Sequence, residues 1–246
     1  MSAITLALFL QPSGCADGAE AFRRGDMLKA HDLVSAALKV QSTAYCEKVM
    51  GVLFAAAKRY REAEPHFAKA CALDSREMDA CYFWSRALYS LDRFEESLKA
   101  LEKAEAASLE WKVRTGRGQA YDALNRPDAE LELRKAIEAK KKDPRPPGEV
   151  DPLLALTALL YRQGKAGEVV SLLRAASGYE KLAPYQYQLG KALLSEGNLE
   201  SAEEALLAAI ALQPQYPEAH GLLSRLYDRQ SKPELAAKHK ELAKAP

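Results

Sequence analysis

The 246-residue chain is short of several things, and each shortage excludes a class of protein. Runs of Val, Ile and Thr are scarce, and no segment alternates apolar and polar residues long enough to read as a strand. Neither sign of charge is in excess: 35 basic residues face 34 acidic ones, for a net charge of +1. That balance supplies no general pull toward nucleic acid or an anionic membrane. Long apolar runs are missing too. Apart from Ala3 to Leu10 no stretch approaches the roughly 18 residues of a membrane span. The four cysteines, Cys15, Cys46, Cys71 and Cys81, show no CxxC or paired Cys/His spacing, which argues against a zinc site. The histidines, His31, His66, His220 and His239, are scattered and read as surface or helix-interface residues. There is no phosphate-binding loop, GxSxG elbow or HExxH pair. The expectation is therefore no catalytic residue, no metal ligand and no cofactor.

What the chain does have is Ala, Leu, Glu and Lys, the residues with the best helix propensity, in a 48% hydrophobic composition that can supply a continuous core. These residues also repeat. Gly51-x-x-Phe54 precedes Ala63-x-x-x-Phe67-x-x-Ala70, and Gly190-x-x-Leu193 precedes Ala202-x-x-x-Leu206-x-x-Ala209, with Pro214 beyond. The second-helix marker recurs at Ala30, Ala63, Ser97, Ala129, Val169, Ala202 and Ala236, with gaps of 33, 34, 32, 40, 33 and 34. Four residues on come Val34, Phe67, Leu101, Leu133, Leu173, Leu206 and Lys240. Three further on come Ala37, Ala70, Ala104, Ala136, Ala176, Ala209 and Ala243. Spacings of three and four share one helical face. Alanine there lets helices approach closely, and the larger residue fills the space between hairpins. One hairpin cannot cover its own apolar face, so stacked neighbours must.

This pattern resembles the tetratricopeptide repeat family, and in particular bacterial scaffolds built of this repeat alone. The resemblance implies an all-α, right-handed superhelical solenoid of about seven helical hairpins. Turns fall at Gly25-Asp26, Leu91-Asp92, Leu124-Asn125, Gly164-Lys165, Gly197-Asn198 and Ser231-Lys232-Pro233. The turn at Lys58-Arg59-Tyr60 lacks a Gly or Asn, and Pro65 follows close behind it, tolerable only near a helix start. The gap of 40 holds the charged, proline-rich stretch from Lys140 to Gly148, which cannot continue a helix. The expected organisation is four hairpins over 17–142, a proline-rich loop at 143–149 and three hairpins over 150–246. The last ends in a polar cap, Glu234 to Lys244.

In arrays of this family the other face of each first helix lines a concave groove that holds peptides. Carried onto this register, that face includes Tyr45 and Lys48, then Tyr82, Phe83, Arg86 and Tyr89, then Gln119, Tyr161, Tyr187, Gln188, Lys191 and Arg225. Tyr, Phe and Arg bury large area and still hydrogen-bond, so Tyr82, Phe83, Arg86 and Tyr89 form the leading candidate patch. No Asn lies on the mapped face, which disfavours the carboxylate-clamp subtype that holds chaperone C-termini. The resemblance implies a protein or peptide partner and no catalysis.

Residues 1–16 read in more than one way. An apolar run followed by Gln11-Pro12-Ser13-Gly14-Cys15-Ala16 resembles a secretory signal, and Ser13-Gly14-Cys15 faintly resembles a lipid-attachment box. No basic residue precedes the run, and Pro12 stands where such a box wants a Leu-like residue. A signal would place the chain in the periplasm or cell envelope, as an assembly factor organising a larger complex; a first packed helix would leave it cytoplasmic. Cys46 and Cys71 fall at adjoining ends of one hairpin, and Cys81 is a rival partner for Cys71, so a disulfide is conceivable on export. The expectation is otherwise free, buried thiols, because cysteine packs as a small hydrophobe.

Overall fold

The computed structural model describes residues 13–74, 79–104, 110–143, 145–148 and 151–244. The apolar run at 3–10 lies outside them. Among the described residues are fourteen α-helices and no strand. In chain order they form successive pairs: α1 (Ser13–Arg23) and α2 (Met27–Val40); α3 (Ala44–Ala56) and α4 (Tyr60–Leu73); α5 (Ala80–Ser90) and α6 (Phe94–Lys103); α7 (Glu110–Ala123) and α8 (Ala129–Lys140); α9 (Pro152–Arg162) and α10 (Ala166–Ala175); α11 (Ala183–Ser195) and α12 (Leu199–Leu212); α13 (Pro217–Arg229) and α14 (Pro233–Leu242). The molecule is an all-α helical repeat.

The packing follows the register. All seven marker residues are buried, and Val34, Phe67, Leu101, Leu133, Leu173 and Leu206 are no more than 2% exposed. Where the marker is polar, it is satisfied: Ser97 Oγ donates to the carbonyl of Ser85 at 2.9 Å. First-helix glycines make room for the large residue. A Cβ on Gly51 would lie 2.6 Å from the Phe67 ring, and one on Gly190 would lie 2.7 Å from Leu206. Each turn inside a pair contains one residue in the left-handed region, at Gly25, Lys58, Asp92, Asn125, Gly164, Gly197 and Ser231. Lys58, with φ of 57°, thus takes the conformation that glycine adopts elsewhere. Pro65 is the sixth residue of α4, one turn further in than the sequence favours. Pro65 and Arg61, whose carbonyl it leaves without an i+4 donor, are both exposed, so water can satisfy that group.

The chain divides into two compact units, one up to Glu132 and one from Leu133. The boundary falls inside α8. In the first unit α1, α3, α5 and α7 touch one another in sequence; in the second, α11 touches both α9 and α13. The first helices therefore share one continuous surface within each unit.

The cysteines depart from the expectation of free thiols. Cys15 of α1 is bonded to Cys46 of α3, with Cα atoms 5.3 Å apart, and Cys71 of α4 is bonded to Cys81 of α5, at 4.8 Å. No free cysteine remains. Cys46 does not pair within its own hairpin; both bridges cross between hairpins, because stacking brings α1 against α3 and the end of α4 against the start of α5. The Cys15 thiol is bonded to Cys46 and fully buried.

Candidate functional site

The first-helix surface of the second unit is built from side chains that reach between helices. Lys191 of α11 places its Nζ 4.0 Å from the ring centroid of Tyr161 on α9, within cation–π range. The Tyr161 hydroxyl pairs with Ser195 Oγ at 2.9 Å. Tyr187 lies against Tyr216, with centroids 5.1 Å apart. Burial, aided by the nearby Glu218 and Tyr161, raises the Tyr187 hydroxyl above the usual tyrosine range, and Arg225 opposes that shift. Arg225 itself is exposed on α13. Gln188 faces inward: its Nε2 donates to the carbonyl of Leu154 at 3.0 Å, and its Oε1 accepts from Thr157. It locks α11 onto α9.

The first unit spends more of its aromatic area on packing. Tyr82 is only 5% exposed; its hydroxyl accepts from Arg86 at 3.3 Å, and Lys112 sits over its ring at 5.6 Å. Phe83 stacks on Phe67 at 5.5 Å, and Tyr89 meets Phe94 edge-on at 5.2 Å. Lys48 lies over Tyr45 at 5.3 Å. Gln119 is half-buried. Trp84, at a core position by register, is partly buried, and its indole N–H donates to Glu64 at 2.8 Å.

Two polar clusters escaped the sequence reading. Glu47 is 3% exposed and takes hydrogen bonds from Ser42 at 2.6 Å and Lys69 at 2.7 Å, with His66 Nδ1 at 2.6 Å. Burial pushes its carboxyl up, but the hydrogen bonds from Lys69, Ser42 and His66 outweigh burial and hold it below the usual carboxylate range. In the last hairpin His220 and His239, 5% and 6% exposed, share one proton across an Nδ1···Nδ1 distance of 2.8 Å. His220 Nε2 lies 3.1 Å from the carbonyl of Pro214 and must donate to it, so His220 Nδ1 accepts from His239. Burial, followed by His220 and Lys238, lowers the His239 pKa below its ordinary value. Both pairs occupy the same register positions: each spans 19 residues, and His66 and His239 each lie three residues past the marker Ala63 or Ala236. The signal was in the sequence, as two polar residues at matching core positions.

A third polar group caps α9. Asp151 is 2% exposed and accepts from the Leu153 amide at 3.0 Å and the Tyr179 hydroxyl at 2.8 Å. Burial, only partly offset by these bonds and by Lys140, raises its pKa. Among the described residues no three His, Cys, Asp or Glu side chains are grouped to hold a metal ion, and no helix is long and apolar enough to cross a membrane.

Helical pairs stacked through Ala and Gly, with their first helices forming a shared surface, define an α-helical repeat array. The tetratricopeptide repeat profile matches residues 82–144 and 187–245. The chain is a tetratricopeptide repeat protein. Its fold is similar to that of a tetratricopeptide repeat protein from Parabacteroides merdae, with a TM-score of 0.71 at 15% identity over 94% of this chain and 91% of that one. It is also similar to Pseudomonas aeruginosa pilF, with a TM-score of 0.63 at 20% identity over 87% and 96% of the two chains. A third likeness is to the Cut9–Hcn1 hetero-tetramer of the APC/C, with a TM-score of 0.73 at 16% identity; 92% of this chain is covered but only 44% of that one, so this chain spans less than half its length. By sequence, no curated protein matches.

Proposed function

We propose that the chain is a non-catalytic scaffold that binds a peptide or helix of a partner protein along the surface lined by its first helices. On this reading four hairpins precede the proline-rich segment at 143–149 and three follow it. The observation that carries the proposal is the row formed by Tyr161 with Lys191, Tyr187 with Tyr216, and the exposed Arg225. These side chains offer wide, half-covered area with polar tips, the composition that dominates protein interfaces. The patch at Tyr82, Arg86 and Tyr89 is a second contact zone whose exposed area is smaller.

The test needs a partner, captured with the full chain and identified by mass spectrometry. Alanine at Tyr161, Lys191 and Arg225 together should weaken binding at least about tenfold with helical content unchanged. Alanine at Tyr82, Arg86 and Tyr89 should weaken it less. Unaltered affinity in both triple variants would refute the first-helix surface as the binding site.

A second reading, an exported assembly factor of the cell envelope, is favoured by the two disulfides, since such bonds persist in oxidising compartments.

A further inference from the structure

We infer that the first hairpin is held on the array by the Cys15–Cys46 bond, so that the repeat is complete only after oxidation and Cys15 is a structural cysteine rather than a site of lipid attachment. The inference deepens the exported reading and is independent of where a partner binds.

Among the described residues the buried apolar side chains of α1 and α2 are small: Cys15, Ala21, Ala30, Val34 and Ala37. The hairpin of α11 and α12 buries Tyr185, Leu193, Leu194 and Leu206. Gly18 of α1 sits so close to α2 that a Cβ there would lie 2.4 Å from Val34, which leaves no room for a larger side chain. Phe22, Leu33 and Leu38 pack against the same cluster only partly buried, so hairpin one fully buries no side chain larger than valine.

The cross-link falls where that deficit is. Cys15–Cys46 joins the first helix of hairpin one to the first helix of hairpin two, closing 31 residues of separation. Cys71–Cys81 continues the chain of bonds from hairpin two to hairpin three. All four sulfurs belong to residues no more than 4% exposed, so the bonds are part of the packed interface. No disulfide occurs beyond Cys81, where the leucine content takes over. Bond formation requires an oxidant. By thiol–disulfide exchange each cysteine pair gives two electrons and two protons to the disulfide of an oxidising carrier protein, which leaves as a dithiol. Carriers of that poise work outside the reducing cytosol. A cut after Ala16 would remove Cys15 and with it the clamp, so any leader is processed ahead of Cys15.

The experiment uses the full chain produced in an oxidising compartment and purified without reductant. Alkylation under denaturing conditions should find no free thiol, and peptide mapping should return Cys15 with Cys46 and Cys71 with Cys81. Amide hydrogen exchange is then compared with and without reductant. Closing a loop of this length changes the opening equilibrium by on the order of 10²-fold, so exchange across α1 and α2 should accelerate by about that factor. Exchange in α9 to α14 should stay unchanged. A Cys15→Ala/Cys46→Ala chain should show the fast α1–α2 exchange whether or not reductant is present. Four alkylatable thiols, or α1–α2 exchange indifferent to reductant, would overturn the clamp. A lipid on Cys15 of chain recovered from its own cells would overturn the structural role of that residue. If instead the clamp behaves as described but the native chain is found reduced in the cytosol, the exported reading falls alone.

Discussion

The same substitution, glycine to alanine inside a first helix, should have opposite effects at two positions. At Gly51 a Cβ would meet Phe67 Cδ1 and Cε1 at 2.6 Å and Cγ at 3.0 Å. The ring cannot retreat easily, because it is 2% exposed and Phe83 stacks on it at 5.5 Å. Overpacking of this kind costs about 1–3 kcal/mol, and more when no flexible side chain can yield. Alanine returns about 1 kcal/mol through helix propensity. The expected net for Gly51→Ala is a loss of up to about 2 kcal/mol. At Gly221, inside α13, the nearest atom to an added Cβ is Ala243 Cβ at 4.0 Å, an ordinary contact. Only the propensity gain remains there, so Gly221→Ala should stabilise by about 0.5–1 kcal/mol. Urea unfolding followed by far-ultraviolet circular dichroism gives both values, provided the slope is unchanged between variants. Hydrogen exchange assigns each effect to its own hairpin, which matters because repeat arrays can lose two-state behaviour. Equal signs for the two variants would refute the reasoning that close helix approach, not backbone entropy, decides the outcome at Gly51.

Lys58→Gly should raise stability by about 0.5–1 kcal/mol, because Lys58 holds a φ of 57° at a turn where three other hairpins place glycine; an unchanged denaturation midpoint would count against strain there. Acid should loosen the last hairpin. The folded pKa of His239 is depressed, so the stability gained from keeping it neutral is full above its ordinary value of 6.5 and is lost as pH falls through the lowered value. The charged groups around the pair are Lys238 on its own helix and, through Tyr227, Glu203 of α12 and Lys232. The opening equilibrium of α13 and α14, taken from exchange after division by the intrinsic rate at each pH, should rise between pH 7 and pH 5, and His239→Leu should flatten that slope; an equal slope in the variant would assign the acid response elsewhere.

The register of the repeat was legible because the sequence writes it locally. Each marker and its partners three and four residues apart decide one helix face, and the buried positions from Ala30 to Leu206 follow without reference to distant residues. The groove was half legible. Spacing tells which residues share the first-helix face, but not how deeply each sits. Tyr82 is covered because Lys112 of the next first helix reaches over it, and Gln188 is turned inward by Leu154 and Thr157. Disulfide pairing was the least legible. Cys46 looked toward Cys71 within its own hairpin, whereas its partner is a residue that the sequence also offers as part of a leader. Only the stacking of α1 on α3 resolves that choice, and stacking is a property of the assembled array.

The two matching polar pairs bear on how such an array avoids assembling wrongly. Repeats with one shared apolar pattern can pair a first helix with the second helix of a different repeat, a known hazard of the architecture. The residue three past the marker faces Glu47 or His220 in the correct hairpin. In other repeats that position holds Leu33, Ala100, Glu132, Leu172 or Ala205. Glu47 set against any of these would lose His66, and Lys69 with it, since both donors belong to α4. A buried carboxylate stripped of its partners costs about 3–5 kcal/mol, more than most single apolar contacts return. His220 set against one of the four apolar residues would keep its bond to Pro214 but leave Nδ1 buried and unsatisfied. Polar pairs at hairpins two and seven let the two helices of each of those hairpins recognise one another.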